Sequence, residues 1–124
     1  MHALLTFLVL AVTAAFAKNI VVLSDSNFDS VIGKGRPAFV KFYGESCYYC
    51  KQMAPEFKRL NNMNQTPYII AEVNSSENPA LSARYNIQGV PTLILFSASS
   101  TRPLDFYPGD RTAPAMMQYL KAHQ

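Results

Sequence analysis

Val40-Lys41-Phe42-Tyr43-Gly44-Glu45-Ser46-Cys47-Tyr48-Tyr49-Cys50-Lys51-Gln52-Met53-Ala54-Pro55-Glu56-Phe57 crosses from an apolar run, through a short turn, into a helical pattern. Ala38 to Tyr43 is almost continuously apolar, as a central strand covered on both faces must be, with Lys41 the interruption. Gly44-Glu45-Ser46 supplies the turn. From Cys47 to about Asn62, Met53, Phe57 and Leu60 fall on one helical face, and Pro55 inside this segment predicts a kink. The only two cysteines of the chain therefore sit at the predicted start of a helix, three positions apart.

That placement carries chemistry. The first turn of a helix leaves backbone N–H groups unpaired, and the helix dipole favours an anion there. A thiol at that point ionises more readily, and the thiolate attacks a disulfide to give a mixed disulfide that a second thiol can resolve. Cys47 is expected to be the exposed nucleophile and Cys50 the more buried resolver. Two other readings compete on spacing alone. A zinc site wants four ligands, and beyond the first residues the chain offers two Cys and His123. A static disulfide closing so short a loop restricts the unfolded chain little and stabilises weakly. No metal and no cofactor are implied.

Outward from this stretch, Ile20 to Leu23 reads as a short strand, followed by turn residues to Asn27. Phe28, Val31 and Ile32 recur at helical spacing until Gly33 and Gly35 end the segment. Tyr68 to Val73 is a third strand. Asn78 is read as the cap of a helix with Pro79 at its first position. Thr92 to Phe96 and Leu104 to Tyr107 are further strands, and Thr112 caps a last helix carrying Met116, Met117 and Leu120. The order β-α-β-α-β-α-β-β-α implies an α/β fold, a mixed sheet with helices on both faces.

The chain has 124 residues, 49% of them hydrophobic and 15% charged, enough for one core and too few for two domains. Its net charge of +3 is spread over single Lys and Arg residues, so nucleic acid is not an expected partner. Two cysteines exclude a disulfide-framework miniprotein. Residues 1–17 read as a signal peptide: no charged side chain from Ala3 onward, an apolar run through Val12, and Ala15-Phe16-Ala17 at the cleavage position. The apolar stretch is shorter than the roughly 20 residues of a spanning helix. Residues 18–124 are then one domain in an oxidising compartment, with no membrane association after cleavage.

The quoted stretch resembles the active-site strand and helix of protein disulfide isomerase catalytic domains, in the thioredoxin superfamily. Pro55, five residues after Cys50, matches the family's helix proline. Asn78-Pro79-Ala80-Leu81 through Tyr85-Asn86-Ile87, then Gly89-Val90-Pro91-Thr92, resemble the helix and the cis-proline loop that follows it. Tyr107-Pro108-Gly109-Asp110-Arg111 resembles the turn into the last helix. The resemblance runs over essentially all of residues 18–124 and implies a thioredoxin fold and thiol–disulfide oxidoreductase activity, forming, reducing or isomerising client disulfides through a redox disulfide between Cys47 and Cys50.

It also implies roles for particular residues. Pro91 is expected to be cis beside the Cys pair, and the Val90 backbone to pair with an extended client segment. Arg111 matches an arginine that can swing toward the active site and favour the resolving thiolate. Three departures stand out. The family places an acid where Lys41 stands, thought to move a proton to or from the buried thiol. Lys41 could act as a neutral base, stay charged and stabilise thiolate, or snorkel to solvent. Ser46 replaces an aromatic residue. Tyr48-Tyr49 replaces a Gly-His pair, leaving apolar rings that suit unfolded clients or simply pack at the helix start.

The expected partners are cysteine-containing client proteins and a redox partner, with the chain a monomer in the endoplasmic reticulum lumen or secreted. No Lys-Asp-Glu-Leu-type tail closes the sequence, so retention is expected through a partner, or the protein is exported. Asn64-Gln65-Thr66 and Asn74-Ser75-Ser76 fit the N-glycosylation pattern. The competing functions are a thioredoxin-type reductase, a glutaredoxin-like use of glutathione, and a client-binding chaperone or adaptor with weak redox turnover.

Overall fold

The computed structural model describes residues 19–124, so the signal peptide read over residues 1–17 lies outside the described residues. The elements follow as β1 (Val21–Leu23), α1 (Phe28–Val31), β2 (Ala38–Tyr43), α2 (Tyr48–Met63), β3 (Ile69–Asn74), α3 (Pro79–Arg84), β4 (Thr92–Phe96), β5 (Pro103–Phe106) and α4 (Ala113–Ala122). The sheet order is β1-β3-β2-β4-β5. β2 lies parallel to β3 and antiparallel to β4, which places the apolar strand at the centre. β1 extends the parallel half and β5 the antiparallel half.

Strand alternation sorts the core into two layers. Ala38, Val40 and Phe42 of β2 join Ile69, Ala71 and Val73 of β3 under α1 and α3, with Phe28, Leu81 and Tyr85. Phe39 and Ile70 face the other way, against Met53, Phe57 and Leu60 of α2 and Met116, Met117 and Leu120 of α4. Helices cover both faces, as the element order implied. By the same alternation Lys41 and Glu72 belong to the α2 face, and they are direct register partners across β2 and β3.

Several boundaries follow hydrogen bonding and not residue type. The third strand runs one residue later than its apolar pattern, to Asn74, and the fifth one residue earlier, from Pro103. α2 continues as one element through Pro55, which lies on the exposed side. α1 ends at Val31, and in the turn that follows the φ of +77° at Gly33 and its closeness to Ser100 (a Cβ there would sit 3.0 Å from its backbone) leave room only for glycine.

One capping assignment is corrected. Asn78 stands at the N-terminal position of α3 but its side chain makes no cap hydrogen bond. Its amide donates to the Asn74 carbonyl at 2.8 Å, and its oxygen accepts from the Asp25 N–H at 2.9 Å. The cap comes from Asp25 instead, whose carboxylate accepts from the N–H groups of Ala80 and Leu81 at 3.2 and 2.9 Å. Thr112 caps α4 as expected, accepting from the Ala115 N–H at 3.3 Å.

Candidate active site

Cys50, Met53, Phe57 and Leu60 form the buried stripe of α2, at spacings of three, four and three residues. This places Cys50 in the interior, 4% exposed, while Cys47 at the cap position stays partly accessible. Cys47 has extended backbone and its Sγ accepts the Cys50 N–H at 3.1 Å. The two cysteines form a disulfide with their Cα atoms 5.1 Å apart. On reduction, the same N–H and the dipole of a 16-residue helix face the Cys47 sulfur and favour its thiolate.

The loop before β4 closes the site from the other side. The Val90–Pro91 peptide is cis, as the resemblance implied, and Pro91 is buried. The Val90 carbonyl oxygen lies 3.3 Å from Cys47 Sγ. Gly44 completes this wall: a Cβ there would meet Val90 Cγ2 at 3.3 Å and Cys47 Cβ at 3.8 Å.

Tyr48 and Tyr49 do not pack into the core. They are 65% and 60% exposed, in edge-to-face contact with ring centroids 5.4 Å apart. Arg111 is exposed and lines a shallow groove with Tyr49, Gln52 and Met53. That groove is distinct from the cavity bordered by Cys50, so Arg111 is not gathered with the buried thiol in this arrangement.

Lys41 does not snorkel. It is buried and its Nζ lies 3.4 Å from Glu72 Oε2 and 4.5 Å from the centre of the Phe57 ring. Burial pushes the Lys41 amine below its usual range, and the Glu72 carboxylate opposes that fall. Burial and the carboxylates of Glu72, Glu77 and Glu45 raise the Tyr43 phenol. Lys41, Tyr43, Lys51 and Glu72 share with Cys50 a cavity of about 280 Å³.

Glu72 is the site residue that sequence reasoning missed. Its signal is an acid interrupting Ile69-Ile70-Ala71-Glu72-Val73 in the way that Lys41 interrupts β2. The two glycosylation-pattern asparagines are both buried. Asn64 donates its amide to the Tyr68 carbonyl at 2.9 Å, and Asn74 donates to Glu45 at 3.2 Å. Their oxygens accept from Thr66 and Ser76, so each pattern folds as a local side-chain turn. Among the described residues no helix is long and apolar enough to cross a membrane.

Comparison with known proteins agrees with this geometry. The chain is 33% identical over 113 residues to protein disulfide isomerase-like 2-1 of Oryza sativa subsp. japonica, covering 90% of this chain and 31% of that protein. It is 34% identical over 110 residues to protein disulfide-isomerase 1 of Dictyostelium discoideum, covering 85% and 30%. The chain thus spans about a third of the length of these relatives. The solution structure of the first thioredoxin domain of mouse protein disulfide-isomerase A4 superposes with a TM-score of 0.70 at 26% identity, covering 82% of this chain and 72% of that one. The thioredoxin family profile matches residues 19–122, nearly everything described, and the chain belongs to the thioredoxin family.

Proposed function

We propose that this chain is a thiol–disulfide oxidoreductase acting on cysteine-containing client proteins. The observation that carries this is the asymmetry of the pair: Cys47 Sγ is accessible and held by the Cys50 N–H at 3.1 Å, while Cys50 is 4% exposed. In the reducing direction the Cys47 thiolate attacks a client disulfide, a Cys47–client bond forms, and one client sulfur leaves as thiolate. Cys50 then displaces the second client sulfur and closes Cys47–Cys50. Two electrons pass to the client, and the reverse sequence oxidises it. A partner dithiol or disulfide resets the pair, and the two reduction potentials set the direction.

The remaining residues serve this exchange. The Val90 backbone beside Cys47 offers an edge to an extended client segment, with Pro91 holding the loop. Tyr48 and Tyr49 present apolar rings to unfolded clients. Arg111 would reach the cysteines only by swinging across from its groove. The leader-like run in residues 1–17 and the kinship to protein disulfide isomerases support the secretory pathway as the compartment, and the domain is read as a monomer.

The test is trapping. Reduced Cys50→Ser should accumulate a mixed disulfide with clients that carry scrambled disulfides, and Cys47→Ser should form none. Equal trapping by both variants would contradict the assignment. The exposed tyrosine pair favours one second reading, a client-binding module with weak turnover. Insulin reduction together with the reduction potential separates the two.

A further inference from the structure

Resolution by Cys50 requires its thiol proton to leave, and at 4% exposure the sulfur has little access to bulk water. The groups facing its cavity are few. β2 contributes Lys41 and Tyr43, the connecting turn Glu45, α2 Lys51, and β3 Glu72. An ammonium has no lone pair to accept a proton, which sets aside Lys51 and the ion-paired Lys41. The Tyr43 phenol is a donor at neutral pH. Glu45 sits in an exposed turn, engaged by the Asn74 amide at 3.2 Å. Glu72 differs from all of these. Its carboxylate is anchored by buried Lys41 at 3.4 Å yet is 24% exposed. It also borders a second cavity, of about 370 Å³, that continues along α2 past Lys58.

We infer that Glu72 is the proton carrier between Cys50 and solvent. This rests on the proposed exchange through Cys47 and Cys50. The Cys50 S–H proton passes to the Glu72 carboxylate, directly or through water in the cavity. The Cys50 thiolate attacks Cys47 Sγ, the Cys47–Cys50 bond forms and the Cys47–client bond breaks. The client sulfur leaves with the electron pair and takes a proton from water, while Glu72 releases its proton to solvent. In the oxidising direction the protonated Glu72 returns the proton to Cys50 as it leaves. The acid is thus supplied from β3 to a thiol on α2, across the strand whose own position 41 is a cation.

Reduced protein mixed with 5,5′-dithiobis(2-nitrobenzoate) separates the two steps. The first release of the yellow thiolate reports Cys47 attack, and the second reports Cys50 resolution. The aromatic thiolate departs readily, so proton removal from Cys50 governs the second phase. The informative pair is Lys41→Met against Lys41→Met/Glu72→Gln, which differ only in the carboxylate and leave no unpaired buried ammonium. The double variant should resolve at least about tenfold more slowly than Lys41→Met at neutral pH, below the usual range for a lost acid–base group because water can substitute. Its second phase should rise with hydroxide and be rescued by added formate, while the first phases match. Equal second phases with the same pH profile would overturn the inference. Should Cys47→Ser still give the first phase, the underlying nucleophile assignment fails instead.

Discussion

Glu72→Gln removes one partner of the Lys41–Glu72 pair and leaves an ammonium in the interior. At the observed 3.4 Å, with an effective dielectric of about 20, the lost attraction is about 5 kcal/mol before solvation is counted. Glu72 keeps 24% of its side chain in contact with water, which screens part of this. Removing one member of a buried pair costs about 3–5 kcal/mol, and this geometry belongs at the lower end, about 3 kcal/mol. For a domain of this size that lowers Tm by at least about 10 °C. The pH dependence has a definite sign. Burial holds the Lys41 pKa below the ordinary lysine value, and Glu72 counteracts it. Between the folded and unfolded values the unfolded chain binds more protons, so stability rises with pH across that interval. Without Glu72 the interval widens downward. The deficit of Glu72→Gln should therefore be larger at neutral pH than near the ordinary lysine value, and shrink as pH approaches that value. Lys41→Met/Glu72→Gln should recover most of it. Urea unfolding of the oxidised proteins at about pH 7 and about pH 9.5 measures both effects. A deficit below about 1 kcal/mol, or one that does not change with pH, would show that the pair behaves as a solvated surface bridge.

Asp25→Ala should destabilise the domain by about 0.5–2 kcal/mol, because two N–H groups of α3 lose their acceptor; chemical denaturation checks this, and a neutral result would assign the cap to water. Asn64→Leu should cost about 1–3 kcal/mol through the partners it leaves unsatisfied. Folded protein recovered from a glycosylating host should show no mass change on enzymatic deglycosylation, since a glycan on Asn64 or Asn74 would displace a buried amide hydrogen bond. Tyr48→Ser/Tyr49→Ser should weaken binding of an unfolded client while leaving reaction with a small disulfide intact, which calorimetry and thiol-release kinetics read separately.

The sequence made legible those features that depend on neighbours along the chain. The apolar run of β2, the stripe through Met53, Phe57 and Leu60 and the cap position of Cys47 are all local patterns, and each matches the structure. The depth of Cys50 follows from the same stripe, because it lies one helical step before Met53. What stayed hidden depends on which distant residues meet. Asp25 and α3 are separated by more than fifty residues, and no local rule says that a loop carboxylate will reach N–H groups so far along. Lys41 is ambiguous in the sequence because its partner depends on the register of β2 against β3, which apolar strands do not reveal. Once Lys41 is set opposite Glu72, the buried cation has its counterion and the choice between snorkelling and burial closes.

If the helix start makes Cys47 the attacking sulfur and the stripe makes Cys50 its resolver, the two thiols differ in reactivity. Site-resolved alkylation of the fully reduced protein, followed by mass spectrometry of the Cys47 and Cys50 positions across a pH series, tests it most directly. Cys47 should be modified first at every pH and react appreciably as thiolate at neutral pH, with Cys50 protected until the domain unfolds. Modification of Cys50 before Cys47, or equal rates at the two sites, would contradict it.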